Sequence, residues 1–332
     1  MGCCLRTIFL NLRYLPLVLF IPSTAFAISL SDAFQKELEQ SFATSVVLSD
    51  SDVFTFGFHN FDPNQVFNID NENIGSAESI SRRKNIAAAS FPYTYALPSY
   101  IEDNHQELTF RLSALGIEQD VKLADGFKPD LQKELVLSGY FEFANVSQLD
   151  ENWSVNSAIG QHISYYRNEY TYRSNYLAPL RPFLDDTYLN TDAWAYIVEP
   201  SIKLTYETPQ NWGRLKVSSS WHYFYGYGWG EANNGQVGRP EGWYLANEVK
   251  VFYDLVQWGD NITSMYSSVR RIDLGGDTSD PLGTQSYYET SIGWLLDPDL
   301  LNDWVDNVGV GLTINYGSSL KGGSLVVFFN QD

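Results

Sequence analysis

Residues 213–230, GRLKVSSSWHYFYGYGWG, interleave two chemistries with a period of two. The odd positions read Leu215, Val217, Ser219, Trp221, Tyr223, Tyr225, Tyr227 and Trp229. The even positions read Arg214, Lys216, Ser218, Ser220, His222, Phe224, Gly226, Gly228 and Gly230. A β-strand sends successive side chains to opposite faces, so the stretch predicts a strand with one apolar, aromatic face and one charged, small or hydroxylated face. The band from Trp212 to Trp221 is ten residues long with aromatics at both edges. That is the reach of a tilted strand across a hydrocarbon layer, and the apolar face is expected to meet lipid.

The same alternation recurs along the chain. Leu108, Phe110 and Leu112 oppose Glu107, Thr109 and Arg111; Leu135, Leu137, Phe141 and Phe143 oppose Glu134, Ser138, Tyr140 and Glu142. Ile202, Leu204 and Tyr206 oppose Ser201, Lys203 and Thr205; Val249, Val251 and Tyr253 oppose Glu248, Lys250 and Phe252; Val308, Val310, Leu312 and Ile314 oppose Gly309, Gly311 and Thr313. Repetition of one pattern argues for one continuous sheet. Strands are expected near 53–60, 87–96, 105–112, 133–145, 153–166, 191–206, 213–225, 243–255, 261–272, 285–296, 305–316 and 323–330. Long connections (61–86, 113–132, 167–190, 226–242, 273–284) alternate with short ones, as the outer loops and periplasmic turns of outer-membrane barrels do. This parity predicts both chain ends in the periplasm. The last outer link, Gly317 to Gly322, is short against the rule.

The ends and composition bound the reading further. Arg6 and Arg13, an apolar run from Tyr14 to Ile21 and the Ala25-Phe26-Ala27 site form a secretory signal pattern with cleavage expected after Ala27. Both cysteines, Cys3 and Cys4, lie within that segment, so no disulfide is expected in the mature chain. Loss of Arg6 and Arg13 takes the formal charge from −19 to −21, which makes nucleic acid an unsuitable partner. No stretch after residue 27 is long and apolar enough for a membrane helix, so a membrane-spanning reading requires a closed barrel. Residues 31–47 break the strand pattern: Ser31 and Asp32 are N-cap types, and Phe34, Leu38 and Phe42 recur every four residues. The short amphipathic helix they predict either lies on the periplasmic rim or inserts in the pore.

A signal segment, one helix, about twelve strands and a terminal GGSLVVFFN strand together resemble the translocator barrel of autotransporters, and more particularly the solitary autotransporter-like outer-membrane barrels that lack a passenger. The resemblance implies an all-β fold, a transmembrane antiparallel barrel of about twelve strands, with residues 31–47 occupying the pore and leaving no room for a passenger. It divides the chain into a signal peptide (1–27), a helix and linker (28–51) and a barrel (52–332). It also implies outer-membrane lipid, lipopolysaccharide and the barrel-assembly machinery as partners, in a Gram-negative outer membrane. A monomer is expected. Phe329, on the alternating set Leu325, Val327, Phe329, matches the terminal aromatic that the machinery reads, although Asn330, Gln331 and Asp332 follow it.

Candidate lumen-lining residues are Arg111, Glu134, Lys203, Arg214, Lys216, His222, Glu248 and Lys250, joined by Glu107, Glu142 and Glu289. Mixed charges in a narrow lumen are expected to pair structurally; a selectivity lining for small solutes is the functional alternative. Ser220 and His222 share a face and invite a hydrolase reading, but no orienting partner or oxyanion site is visible. No histidine pair among His59, His105, His162 and His222 has zinc-motif spacing, so neither metal nor cofactor is expected. Gly226, Gly228 and Gly230 lack phosphate-loop spacing and are read as permitting close packing at the barrel mouth. The acidic loop pairs Asp70/Glu72, Asp185/Asp186 and Asp277/Asp280 complete no calcium-loop pattern and are read as solvated charge. Trp212, Trp221 and Tyr223 are candidates for an aromatic belt. The expected function is a non-enzymatic barrel with a structural, surface-presenting or pore-forming role. The alternatives are a narrow channel for small solutes and an exported soluble β-sandwich lectin, with an outer-membrane enzyme last.

Overall fold

A computed structural model describes residues 29–50, 53, 57, 59–98, 103–174, 176–258, 261–296 and 307–329. The strands, in chain order, are β1 (His59–Phe61), β2 (Ile86–Ala96), β3 (Asn104–Val121), β4 (Asp130–Gln148), β5 (Trp153–Thr171) and β6 (Asp192–Gln210). They continue with β7 (Gly213–Gly230), β8 (Glu241–Trp258), β9 (Asn261–Gly276), β10 (Ser286–Leu296), β11 (Val308–Tyr316) and β12 (Gly322–Phe329). All twelve form one antiparallel sheet in which β2 to β12 pair in sequence order and β1 pairs with β12. The helices that bear on function are α1 (Leu30–Ser49) and, in the first outer connection, α2 (Pro63–Phe67) and α3 (Ala77–Lys84). Two further single turns are α4 (Arg181–Leu184) and α5 (Ser279–Leu282).

The sheet curls into a barrel around α1, and its two ends meet beneath α3, which packs on β1, β2 and β12. There Arg83 donates to the Leu320 carbonyl at 2.5 Å and to Ser324 Oγ at 2.6 Å, while Asn60 Nδ2 donates to the Arg83 carbonyl at 3.1 Å. Period two explains the wall. On β7, Val217, Trp221, Tyr225, Tyr227 and Trp229 are exposed, while Ser218, Ser220, Phe224, Gly226 and Gly228 are buried. An open sheet in water would not leave such an apolar band uncovered, and a sandwich would bury it; a lipid-facing barrel presents it by design.

The glycines of β7 serve the mouth. A Cβ on Gly228 would lie 2.4 Å from Val237 Cγ1, because the β7–β8 loop folds back over the strand and Gly228 N donates to the Gly238 carbonyl at 2.9 Å. Val237 is thereby fully buried at the top of the lumen.

Several expectations need correction. The helix begins at Leu30, capped by Ser29 Oγ, so Ser31 and Asp32 lie inside its first turn, and it continues to Ser49. It stands in the lumen and not on the rim. Its N-terminus lies among the long loops: Ser31 Oγ donates to Asn233 Oδ1 at 2.8 Å, and Lys36 pairs with Asp277. The first described residues therefore lie at the long-loop end, against the expectation that the N-terminal end starts on the short-turn side. Strands β3, β5, β7 and β9 run well past the ends expected on the long-loop side; the 113–132 connection shrinks to 122–129 because Ser113 to Val121 pair with β4. Half of the strand expected at 53–60 lies outside the described residues.

Candidate functional site in the barrel lumen

The upper lumen is apolar. Phe34, Leu38, Phe42, Val46 and Val47 of α1 pack with Leu115, Val136, Tyr166, Ile197, Phe224 and Tyr244 of the wall in one buried cluster. Phe42 meets Tyr166 edge-on at 6.1 Å, and Phe34 meets Tyr188 at 5.5 Å. The stripe read from sequence widens toward the helix C-terminus, where Thr44, Ser45 and Ser49 are buried as well. Ser45 and Ser49 return their hydroxyls to the Phe42 and Val46 carbonyls at 2.7 and 2.9 Å, which removes two donors from a dry environment.

Where α1 ends, a polar site begins. Asp50, the helix C-cap, meets Glu199 of β6, His222 of β7 and Tyr244 of β8. Tyr244 Oη lies 2.7 Å from Asp50 Oδ2, 2.7 Å from Glu199 Oε1 and 3.0 Å from His222 Nδ1. His222 Nδ1 is itself 2.8 Å from Glu199 Oε1, and the His222 ring stacks on Tyr244 at 4.3 Å. The second Glu199 oxygen meets His162 Nε2 at 2.5 Å. Around this centre, Arg111 reaches to 3.9 Å from Asp50 Oδ1 and lies over the Tyr140 ring, whose hydroxyl donates to Glu142 at 2.5 Å. Glu199 and His162 are each 1% exposed. Burial at this level requires pairing, since an isolated buried charge is costly.

Glu199 faces inward by the ordinary alternation of β6, in step with Ala195, Ile197 and Ser201. The β6–β7 register is the same at Val198↔Tyr225 and Ser201↔His222, with a gap in the ladder at Pro200, which has no N–H to give. Pro200 faces out and Glu199 faces in.

The candidate residues from sequence separate into groups. Arg111 and His222 belong to the site. Glu134 accepts from Gln132 at 2.7 Å higher on the wall. Glu248 and Lys250 form a second lumen lattice with Arg270 and Glu289: Lys250 Nζ and Arg270 lie 3.5 and 3.1 Å from Glu248, and Arg270 lies 3.7 Å from Glu289. Arg214 and Lys216 share Glu207 at 3.5 and 3.7 Å near the short-turn end, and Arg214 also covers Phe252. Lys203 is half-buried on the inner face of β6, and Glu107 is held by His105 at 2.9 Å. Trp212 occupies the two-residue turn after β6 and stacks on Tyr253 at 6.1 Å; Trp221 and Tyr223 begin an outward aromatic run that continues to Trp229. Phe329 falls in β12, paired with Val308.

Two acidic loop pairs are not merely solvated. Asp277 binds Lys36 and accepts from Glu241 N at 2.9 Å, and Asp280 accepts from Gln40 at 3.3 Å, so both clamp α1. Asp185 accepts from Arg181, Asn190 and Tyr172 at 2.7 to 2.8 Å. Burial alone would raise the Asp185 carboxyl, but these donors outweigh it and hold it below its ordinary value.

The hydrolase reading gains a partner and loses its nucleophile. Glu199 orients His222, but among the described residues no hydrogen bond joins His222 to Ser220. Asp50, Glu199, His162, Tyr140 and Tyr244 escaped the site reading. Extending the inward parity of β6 from Lys203 and Ser201 one step further would have reached Glu199.

A family model for the solitary outer membrane autotransporter β-barrel domain matches residues 39–331. The chain belongs to this family. Its localisation is accordingly the outer membrane of Gram-negative bacteria. None of the curated proteins matches the chain. Among solved structures, the β-domain of the Bordetella autotransporter BrkA is similar at 10% identity and a TM-score of 0.41, covering 74% of this chain and 87% of that one. LpxR from Salmonella typhimurium is similar at 10% identity and a TM-score of 0.37, covering 75% of this chain and 88% of that one.

Proposed function

We propose that this chain works as a plugged, non-enzymatic outer-membrane barrel with a structural or surface-presenting role, and not as an open channel for small solutes. The observation that carries the reading is α1. It runs down the lumen with Phe34, Leu38, Phe42, Ala43, Val46 and Val47 buried, and its N-terminus emerges among the outer loops. A helix with side chains is about 10–12 Å across, which fills much of a small barrel. The loops around that N-terminus, 231–240 and 277–285, are what such a barrel would present at the cell surface. Lipopolysaccharide and the assembly machinery are its expected partners, with cleavage after Ala27 checked by N-terminal sequencing.

Single-channel recording in planar bilayers tests this. The intact protein should conduct poorly, and deletion of Leu30–Ser49 from a barrel that still folds should raise conductance several-fold. High, steady conductance of the intact chain would overturn the plug and favour the channel.

A further inference from the structure

We propose that the lumen site is a divalent-metal centre, with Asp50, Glu199 and His222 as ligands and the Tyr244 hydroxyl as a fourth donor. It rests on the plug reading to the extent that Asp50 belongs to the end of α1.

The ligand atoms of Asp50, Glu199 and His222 all lie within 4.8 Å of one another. Metal–ligand bonds of about 2.0–2.2 Å at tetrahedral angles bring donor atoms to about 3.4 Å, so shifts of about an ångström suffice. Tyr244 Oη lies within 3.0 Å of all three. Without a cation, the Tyr244 hydroxyl and the His222 Nδ1–H are the donors that hold the Asp50 and Glu199 carboxylates at the centre, and a cation would take the place of both.

Charge points the same way. Asp50, Glu199 and Glu142 set three carboxylates around the single guanidinium of Arg111 and the two imidazoles. A divalent cation would offset carboxylate charge in a site too dry for solvent to do so.

The surrounding groups are arranged as outer-shell partners. His162 holds Glu199 Oε2 and leaves Oε1 facing the centre; Arg111 faces Asp50 Oδ1 and leaves Oδ2. One nitrogen and three oxygens suit a borderline or hard first-row ion such as Zn²⁺, Mn²⁺ or Fe²⁺. Sequence spacing hides the set because each ligand comes from a different element. The ion would join the foot of α1 to β6, β7 and β8.

The test uses the full chain, folded in detergent, stripped with a chelator and dialysed against Zn²⁺. Elemental analysis should find about one zinc per chain, retained through gel filtration. Glu199→Gln and His222→Gln should each lose it, Tyr244→Phe should weaken retention at least ten-fold, and His105→Gln, at a half-buried histidine on β3 outside the site, should leave it unchanged. No retained zinc in the folded chain, or equal retention by Glu199→Gln, overturns the proposal. Should the Glu199 and His222 variants fail to fold, Cu²⁺ loaded into the unaltered chain decides. Its electron paramagnetic resonance should carry coupling to one imidazole nitrogen, and a spectrum without nitrogen coupling overturns the assignment. Conductance of the stripped protein reports on the plug separately, so failure of one reading is distinguishable from failure of the other.

Discussion

At its outer end α1 is held by Lys36, Glu39 and Gln40 reaching into loops that still see water; at its inner end Asp50 enters a cluster whose members are almost fully enclosed. The Lys36 side chain is 46% exposed although it pairs with Asp277, whereas Glu199 is 1% exposed. Solvent screens the first kind of contact to a small value and leaves the second dependent on complete pairing. The outer end is therefore built to let go before the inner one, and the foot of the helix, together with its apolar middle, sets how firmly the lumen stays closed.

The largest effect should come from the middle. Phe42→Ala removes a fully buried ring and should cost about 3–5 kcal/mol of plug seating, read as frequent spontaneous openings in bilayer recordings. Unchanged gating would mean that the packing between the two ends does not hold the plug. The frame in which both ends are placed is tested by Leu204→Arg on the outer face of β6, which should destabilise the barrel by about 2–4 kcal/mol in urea titration, against much better tolerance of Thr205→Arg on the inner face. Equal tolerance would dissolve the register on which inside and outside rest.

At the foot, Tyr244→Phe keeps the ring that stacks on His222 and deletes the shared hydroxyl, leaving buried acceptors short of a donor; a loss of about 1–3 kcal/mol is expected in the same titration. At the head, Lys36→Ala should change stability by less than about 1 kcal/mol. A head variant that proves costlier than the foot variant would invert the comparison. The smallest effect is local and pH-dependent. Asp185 in the β5–β6 loop has a folded-state value below its unfolded one, so its contribution is full above the unfolded carboxylate range near about pH 4 and fades as pH falls through the folded value. Hydrogen exchange of residues 176–190 should therefore match between pH 7 and pH 5 and accelerate relative to the intrinsic rate only below about pH 4.

The legibility of the chain follows the same division. In the lower half of the barrel the lumen is polar and the outside apolar, so Arg214, Lys216 and Ser218 against Leu215 and Val217 announce a strand and its register. Higher up, α1 fills the lumen and the inward residues become apolar too. The run Trp194-Ala195-Tyr196-Ile197-Val198 then loses its two-period contrast, although Ala195 and Ile197 are buried and Trp194 and Tyr196 exposed. The plug thus erased the signal that would have extended the strands to their true ends and carried the inward reading to Glu199. Asp50 was invisible for another reason: nothing local in a helix C-cap says which wall it will touch. The helix stripe at Phe34, Leu38 and Phe42 was readable, but its position in the pore depended on the family resemblance and not on its residues.

The join between β1 and β12 has a kinetic consequence. Its described ladder pairs His59 with Leu325, Asn60 with Ser324 and Phe61 with Gly323, residues 264 positions apart in the case of the Asn60–Ser324 hydrogen bond. Every other pairing in the wall links sequence neighbours through a single connection, and such hairpins can form one after another. Only this join must wait for the rest, because its loop-closure entropy is met by few contacts of its own. Arg83, which ties the Leu320 carbonyl and Ser324 Oγ while its own carbonyl holds Asn60, belongs to both sides at once. The last step of folding for this barrel is thus a docking of its first strand against its final one, with a short helix from the outer connection as the clasp.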